Sequence, residues 1–335
     1  MKKTRIAFFE IEEWEKSYLS ERLKDAGISF FSEPLSAENL SLAESFQVIS
    51  PFIYSKIDKD ILNSLPELEM ISTRSTGFDH IDILKAKKNK IIVCNVPFYG
   101  ENTVAEHTFA LILALSRKLL DSANRAKIGD FTLDGLRGFD LKNKTLGIVG
   151  FGHIGQNVAL IAKGFQMNVL AFDIKKDNKL AKKLRVKYVE FNNLLQKSDI
   201  ISLHAPYSEK TRHLINSGNI NLIKKGAYLI NTARGGLIET SALLKALSSG
   251  IIAGAGLDVL EEECIIKEEA QLLSKEFPKQ CDLKIALQNH ILLNQKNVVI
   301  TPHNAFNSTE ALSRILETTV LNIKSYLKNK PINKV

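Results

Sequence analysis

The stretch KTLGIVGFGHIGQNVALIAKGFQMNVLAFD, residues 144–173, decides the fold of this chain. Gly150, Gly152 and Gly155 form a G-x-G-x-x-G motif that follows an apolar strand pattern and opens a helical one. Glycines permit a tight turn and close approach of the backbone to a pyrophosphate, which the helix N-terminus attracts. Asp173 ends the next strand and can accept hydrogen bonds from ribose hydroxyls, which favours NAD over NADP. The stretch therefore predicts a dinucleotide-binding Rossmann unit that holds NAD.

Short apolar runs alternate with longer amphipathic segments along the rest of the chain, as is typical of parallel βαβ units. A first series runs to about Pro97, and a long apolar segment from Glu101 separates it from the second. The length of 335 residues exceeds one ordinary domain. We expect an α/β protein with two Rossmann-like, doubly wound parallel-sheet domains and a cleft between them. Because the C-terminal helical segment should pack back on the first domain, the predicted bounds are 1–100 plus 305–335 and 101–304.

The composition argues against several classes of protein. The net charge is +8, but the lysines form scattered pairs, which favours a solvated surface over nucleic-acid binding. One such pair, Lys175 and Lys176, weakens the preference for NAD without reversing it. The N-terminal apolar run is too short for a signal peptide, and the apolar stretch from Thr108 is too short to cross a bilayer. Three cysteines without a close pair fit a reducing cytoplasm, and no motif with metal-ligand spacing occurs, so we expect no bound metal.

Four polar side chains follow later strands of the second series. His204 lies in SLHAP, Arg234 in NTARGG, Asp258 in LDVLEEE and His303 in TPHNA. In an open parallel sheet, ligands bind beyond the carboxyl ends of the strands. These four residues are therefore candidates for chemistry.

In this order, the motifs resemble the D-isomer-specific 2-hydroxyacid dehydrogenase family. The resemblance covers nearly the whole chain, including TRSTGFDHID from Thr73, and is closest to the D-lactate dehydrogenase branch. It implies an NAD-dependent enzyme that reduces pyruvate to D-lactate, with the first domain binding the substrate. One alternative is a dehydrogenase for a larger 2-keto acid, glyoxylate or hydroxypyruvate. An alternative of another class is an NAD(H)-sensing, corepressor-like binding protein.

The resemblance and the chemistry of ketone reduction together indicate three catalytic residues. Arg234 carries a planar fork that can bind a substrate carboxylate at two points. His303 suits proton donation to the carbonyl oxygen because an imidazole titrates near neutral pH. The resemblance places the acidic partner of His303 five residues past the strand-end aspartate, at Glu263. Glu261 and Glu262 are its competitors, and we expect both to be solvated.

The resemblance also implies the groups that bind the ligands. The predicted cofactor contacts are Gly150, Gly152, His153, Ile154, Gly155, Asp173, His204, Ala205, Pro206, Thr211, Thr232, Ala233, Arg234, Asp258 and His303. The predicted substrate contacts are Phe52, Thr76, Gly77, Tyr99 and Arg234. Asn304 and Asn307 depart from the apolar and aromatic residues that are usual in the lactate branch, which leaves the preferred acid open.

The remaining histidines are weaker candidates. His107 follows Glu106 on a helix, where neighbouring residues point in different directions, and we expect it to pack at the domain junction. His80 is expected to be structural or adjacent to the substrate. His213 and His290 belong to no motif.

Two segments carry further expectations. We predict a homodimer built around a helix from about Val104 to Leu120. Residues 264–299 are rich in lysine and glutamate, and we expect a surface excursion with a helix there.

Overall fold

The computed structural model describes residues 3–263 and 282–335. The chain divides into two compact units, Met1–Tyr99 with Ser308–Val335, and Gly100–Asn307. Each unit contains a parallel sheet whose strands are connected mainly by helices. The predicted α/β class with two Rossmann-like sheets is confirmed.

The first unit contains a five-stranded sheet in the order β2-β1-β3-β4-β5. Every strand pair in it is parallel, so all carboxyl ends lie at one edge. The strands are β1 (Arg5–Phe8), β2 (Gly27–Phe30), β3 (Val48–Ser50), β4 (Met70–Ser72) and β5 (Ile92–Cys94). Connecting helices are α1 (Glu13–Arg22), α2 (Lys59–Asn63) and α3 (Ile83–Lys88).

The second unit contains a seven-stranded parallel sheet in the order β12-β11-β10-β9-β6-β7-β8. Its strands are β6 (Thr145–Val149), β7 (Asn168–Phe172), β8 (Val186–Tyr188), β9 (Ile200–Leu203), β10 (Ala227–Asn231), β11 (Ile252–Leu257) and β12 (Val298–Ile300). The strand order reverses between β6 and β9. Such a switch point opens a crevice beyond the carboxyl ends of the two strands, where open α/β sheets bind ligands.

Seven helices accompany this sheet in the described residues: α4 (Glu101–Ser116), α5 (Leu119–Lys127), α6 (His153–Gly164), α7 (Asn178–Leu184), α8 (Phe191–Lys197), α9 (Thr240–Ser248) and α10 (Leu283–Leu293). The long helix expected from Val104 to Leu120 is interrupted, because Lys118 has a left-handed backbone with φ of 51°. Much of α4 is buried inside the unit, with Phe109 and Ile112 in its core. This burial explains why α4 is so apolar.

Residues 264–281 of the expected surface excursion lie outside the described residues. The remaining part, 282–299, contains α10 and the start of β12. The side chain of Asp282 caps α10 by accepting a hydrogen bond from the backbone amide of Lys284.

The C-terminal helix, α11 (Thr309–Leu327), belongs to the first unit. The hydroxyl of Ser308 caps its N-terminus. Leu316, Val320 and Ile323 pack into the core formed around β1. Among the helices that the structure describes, none combines the length and the apolar character needed to cross a lipid bilayer.

Candidate active site

The glycine motif forms the turn between β6 and α6. Gly150 has φ of +92°, and a Cβ placed on it would lie 2.6 Å from the backbone nitrogen of Ala205. A Cβ on Gly155 would lie 2.3 Å from the Gly150 carbonyl oxygen, so the helix packs directly on the turn. A Cβ on Gly152 would meet nothing within 4 Å. The turn is thus crowded on its protein side and open at the N-terminus of α6, where the pyrophosphate of a dinucleotide fits.

Asp173 follows β7 and borders the same turn. Its Oδ2 accepts a hydrogen bond from the Phe151 amide at 2.6 Å, and its Oδ1 accepts from the Lys175 amide at 2.8 Å. The two amides hold the carboxylate in place, and its remaining lone pairs can accept from ribose hydroxyls. His153 and Ile154 form the first residues of α6. These groups therefore fit the adenosine and pyrophosphate parts of NAD.

His204 follows β9 at the switch point. Its Nε2 lies 2.8 Å from the Ser202 hydroxyl, and its buried Nδ1 has no hydrogen-bond partner among the described residues. Burial lowers the pKa of His204 to about 3, because desolvation disfavours the charged ring. Ala205 and Pro206 come next, and the Thr211 hydroxyl donates to the Pro206 carbonyl at 2.7 Å. His204 therefore carries a neutral imidazole with one available nitrogen, and its backbone lies against Gly150 of the glycine turn.

Acidification should destabilise the folded protein in part through His204. Below about pH 6.5 the unfolded chain binds a proton at this ring, whereas the folded chain does not until about pH 3. Within that window, His204 lowers the free energy of unfolding by at most about 1.4 kcal/mol for each pH unit. The thermal midpoint of His204→Gln should therefore fall less than that of the unsubstituted protein between neutral pH and pH 5. Parallel declines of the two midpoints in calorimetry would contradict the neutral burial of this ring.

Arg234 lies in the loop after β10. The Asn231 side chain fixes this loop: its Oδ1 accepts from the Ala233 amide at 3.1 Å, and its Nδ2 donates to the Arg234 carbonyl at 2.9 Å. Arg234 Nη1 donates to the Ala233 carbonyl at 2.8 Å. The Thr232 and Thr108 hydroxyls lie 3.0 Å apart and tie the loop to α4. The half-buried guanidinium is thus carried by a well-fixed backbone at the carboxyl edge of the sheet.

Asp258 ends β11 and fixes the segment that carries His303. Its Oδ1 accepts from the Thr301 hydroxyl at 2.5 Å and from the Asn304 amide at 3.0 Å. Its Oδ2 accepts from the Ala305 amide at 2.9 Å, and its carbonyl oxygen accepts from the His303 amide at 2.8 Å. The side chain is buried, so its contribution here is to order the backbone around His303.

His107 of α4 completes the surroundings of Asp258. Its Nε2 lies 3.0 Å from the Thr301 hydroxyl and 3.5 Å from Asp258 Oδ1. Burial by itself would raise the pKa of Asp258, but the hydrogen bonds from His107, Thr301 and the Ala305 and Asn304 amides outweigh it. The pKa of Asp258 therefore lies below its usual value, and the residue is a carboxylate at neutral pH.

His303 and Glu263 lie side by side on different loops. The Nδ1 of His303 is 3.0 Å from Glu263 Oε2, and both side chains are partly exposed, at 37% and 42%. Both residues have a left-handed backbone, with φ of 51° and 47°. The carboxylate accepts from Nδ1 and so orients the ring. Because Nδ1 faces the carboxylate, Nε2 is the nitrogen that can donate a proton to a ligand.

Glu261 is buried, so the expectation that it is solvated is wrong. Its Oε1 lies 2.5 Å from His213 Nε2, and its Oε2 accepts from the Thr240 amide at 3.1 Å and hydroxyl at 2.7 Å. Glu262 is exposed. With φ of 60° at Glu262 and 47° at Glu263, the run turns sharply, and its three carboxylates meet three different surroundings. The residues that bury Glu261 come from distant segments, so spacing within the run does not reveal them.

The predicted substrate contacts of the first unit lie beyond the carboxyl ends of three neighbouring strands. Phe52 follows β3, and its amide donates to Glu10 Oε2 at 2.9 Å. Thr76 and Gly77 follow β4, and Tyr99 follows β5. Because these parallel strands end at the same edge, the four residues share one edge of the first sheet.

Residues 109–305 match the family model described as "D-isomer specific 2-hydroxyacid dehydrogenase, NAD binding domain". The chain belongs to this family. It is therefore an NAD-dependent oxidoreductase that acts on the CH–OH group of 2-hydroxy acids, as the motifs predict.

Individual relatives and a solved structure resemble the dehydrogenase over most of its length. It is 36% identical over 330 residues to 2-hydroxyacid dehydrogenase homolog 2 of Schizosaccharomyces pombe, covering 97% of both chains. It is 36% identical over 285 residues to glyoxylate reductase of Thermococcus litoralis, covering 83% of this chain and 80% of the relative. The crystal structure of D-lactate dehydrogenase from Aquifex aeolicus, complexed with NAD and lactic acid, superposes with a TM-score of 0.85. The two chains are 37% identical, and the match covers 97% of this chain and 96% of the Aquifex aeolicus chain.

Sequence reasoning did not place three residues in the polar network of the dehydrogenase: His107, His213 and Glu261. His107 had a recognisable signal, since a histidine on a largely apolar helix needs a polar partner when it is buried.

His80 of the first unit contacts the Thr73 hydroxyl at 3.2 Å, and burial lowers its pKa. Within residues 3–263 and 282–335, no three His, Cys, Asp or Glu side chains form a group that could hold a metal ion.

Proposed function

We propose that this dehydrogenase reduces pyruvate to D-lactate. The observation that carries the proposal is the placement of Arg234 and the His303–Glu263 pair at the carboxyl edge of the sheet that carries the glycine turn. Likeness to the Aquifex aeolicus D-lactate dehydrogenase over nearly the whole chain supports the choice of acid. An acid–base pair beside a carboxylate-binding arginine also counts against a purely NAD(H)-sensing role, which needs the fold but no proton donor.

Each catalytic side chain has one task in this reaction. The Arg234 guanidinium binds the substrate carboxylate through two parallel hydrogen bonds and so orients the keto group. His303 donates the proton of Nε2 to the carbonyl oxygen as that oxygen gains charge. Glu263 holds the ring in this orientation through its contact with Nδ1. NADH, when bound, supplies the hydride to the carbonyl carbon, so that keto acid, NADH and one proton give hydroxy acid and NAD⁺.

We assign NAD to the glycine turn, to Asp173 and to the loops after β9, β10 and β11. Gly150, Gly152 and Gly155 would admit the pyrophosphate, and Asp173 would accept from the ribose. The remaining contacts that we propose are His153, Ile154, His204, Ala205, Pro206, Thr211, Thr232, Ala233, Arg234, Asp258 and His303.

Substrate discrimination is assigned to the first unit. We propose that the Thr76 and Gly77 backbone contacts the acid's carboxylate, and that Phe52 and Tyr99 line the space for its side chain. Apolar walls favour a methyl group, but one methylene changes the discrimination by only about 1–3 kcal/mol. Likeness to a glyoxylate reductase makes glyoxylate the second candidate. The polar Asn304, whose buried Oδ1 has no partner among the described residues, also departs from the lactate branch.

Purified protein, NADH and a panel of 2-keto acids test the proposal. The panel contains pyruvate, glyoxylate, hydroxypyruvate and the branched 2-ketoisocaproate. We expect pyruvate to give the highest kcat/KM, and chiral analysis to find D-lactate as the product. NADH oxidation with none of the acids would overturn the proposal, and a clear preference for glyoxylate or the branched acid would replace pyruvate as the substrate.

We also propose that the protein is a cytoplasmic homodimer. The proposed compartment rests on the sequence, which has only three cysteines and no close pair among them. The exposed apolar residues of the second unit include Ile128, Phe131 and Leu133, with 81%, 80% and 82% of their surfaces accessible. Such a run on one segment is typical of a contact surface. This moves the proposed contact from α4, much of which is buried, to the segment that follows α5.

Light scattering at micromolar concentration should give the mass of two chains. Phe131→Glu combined with Leu133→Glu should give one chain, because negative charges without a partner would be buried in the contact. Leu84→Glu is the matched control, since Leu84 is 83% exposed but lies in the first unit. A monomer before any substitution would contradict the homodimer, and a dimer in the double variant would contradict its location.

A further inference from the structure

A buried polar cluster joins the loops that carry the proposed catalytic residues. Its centre is Glu261, which contacts His213 through Oε1 and the amide and hydroxyl of Thr240 through Oε2. Thr240 is the first residue of α9, six residues beyond Arg234 in the chain, and Glu263 lies two residues beyond Glu261. One carboxylate thus connects the segment of the substrate-binding arginine with the segment of the acid–base pair.

The backbones of these segments are also in direct contact. A Cβ on Gly235 would lie 1.9 Å from the carbonyl oxygen of Leu260, so no side chain fits between the two loops. The amide of His213 donates to the Gly236 carbonyl at 2.8 Å. His213 therefore binds the arginine loop through its backbone and the acidic run through its ring.

A second side chain holds the acidic run from another direction. Asn289 of α10 donates from Nδ2 to the Glu261 carbonyl oxygen at 2.9 Å, and Asn289 is itself buried. The turn then continues to Glu263, whose amide lies 3.3 Å from the Leu260 carbonyl oxygen. Glu261 is consequently the fixed start of the turn that ends at the partner of His303.

We propose that Glu261 is a positioning residue, which holds the Glu263 turn against the Arg234 loop by means of His213 and Thr240. This inference rests on the proposed roles of Arg234 and Glu263. A positioning group matters here because the carboxylate clamp and the proton donor must act on one small molecule, and a shift of about 1 Å can cost up to roughly 10²-fold in rate.

The charges around His213 come from two elements. Glu261 is one, and Glu239, which precedes α9, is the other. Hydrogen bonds from Ser241 and Ser217, together with the proximity of His213, lower the pKa of Glu239 to about 2. Glu239 therefore remains charged when Glu261 is replaced. Replacing Glu261 removes the tether, while His213 still has the carboxylate of Glu239 nearby.

The test compares Glu261→Gln, His213→Asn and their double variant with the matched control Glu262→Gln. Each single variant should lower kcat/KM for the keto acid by about tenfold, with a higher KM and a lower kcat together. The double variant should be no worse than either single one, because each removes the same tether. Glu262→Gln should stay within about twofold, since its side chain is exposed.

The pH profile separates positioning from a direct effect of charge. Positioning requires Glu261→Gln and His213→Asn to move the alkaline decline of kcat to lower pH, towards that of Glu263→Gln. A direct effect of charge would move the decline in Glu261→Gln alone, since only that substitution removes a carboxylate. Altered thermal midpoints with unchanged kinetics, a pH shift in Glu261→Gln alone, or equal effects of Glu261→Gln and Glu262→Gln would each overturn the proposal.

A readout independent of turnover keeps this proposal distinct from the proposed function. Ring resonances of His303, recorded by NMR after histidine-selective labelling and assigned with His303→Asn, report on its contact with Glu263. Glu261→Gln and His213→Asn should displace them in the direction that Glu263→Gln does, and Glu262→Gln should not. If the unsubstituted protein reduces no 2-keto acid, the proposed function fails, and these resonances alone support or overturn the positioning role.

Discussion

Replacing His303 with asparagine is expected to lower kcat for 2-keto acid reduction by roughly 10²- to 10⁴-fold, the usual contribution of a positioned proton donor. Asparagine suits this position because residue 303 has φ of 51°, a left-handed conformation that asparagine adopts more readily than most side chains. The backbone, and with it the hydrogen bond to the Asp258 carbonyl, should remain. The loss should therefore fall mainly on kcat, and NADH affinity measured by fluorescence should fall much less, because His303 is one of many proposed cofactor contacts.

Two further variants make the result specific. His290→Asn changes a histidine of α10 to the same residue and should leave turnover within about twofold. Glu263→Gln should reproduce part of the His303 loss, and adding it to His303→Asn should cost little more because the two side chains act as a unit. A His303→Asn enzyme that retains more than about a tenth of its kcat would remove His303 as the proton donor.

Much of the fold could be predicted from local pattern. The glycine motif between strand and helix is a property of contiguous residues, and the close contact of Gly155 with Gly150 lies within the motif. The strand-end positions of Arg234, Asp258 and His303 could also be predicted, because parallel strands place all their carboxyl ends at one edge. Short-range pattern and one rule of topology are sufficient for both.

The environment of Glu261 could not be predicted in this way. Its partners His213 and Thr240 lie far from it in the chain, and nothing in the run EEE distinguishes one glutamate from the next. Which carboxylate is buried depends on how the run turns at Glu262 and Glu263. The contact of His107 with Thr301 likewise joins residues 194 positions apart. Long-range side-chain contacts of this kind require the packed structure.

Local contacts and long-range side-chain contacts determine different parts of the site, and mutations should affect these parts separately. The proposed cofactor contacts at the glycine turn and Asp173 are set by local sequence. The distance between Arg234 and the His303–Glu263 pair depends on long-range packing through Glu261. Substitutions in the second set should therefore change substrate turnover much more than NADH binding.

Arg234→Lys should lower kcat/KM for the keto acid by about 10²-fold, or about 2.7 kcal/mol of transition-state stabilisation. Lysine keeps the positive charge but not the planar fork, so the carboxylate loses one of two parallel hydrogen bonds and the keto group is held less firmly. KM should rise and kcat should fall, since the same contact binds the acid and orients it for reduction.

The matched control is Arg212→Lys, which changes an exposed arginine of the same unit and should leave both constants within about twofold. NADH affinity should be unchanged in Arg212→Lys, and in Arg234→Lys it should change far less than kcat/KM because the other proposed cofactor contacts remain. Steady-state kinetics over a range of pyruvate concentrations give the two constants separately. Should Arg234→Lys retain kcat/KM within about threefold, charge alone would be sufficient to hold the acid, and the two-pronged contact would not be part of the mechanism.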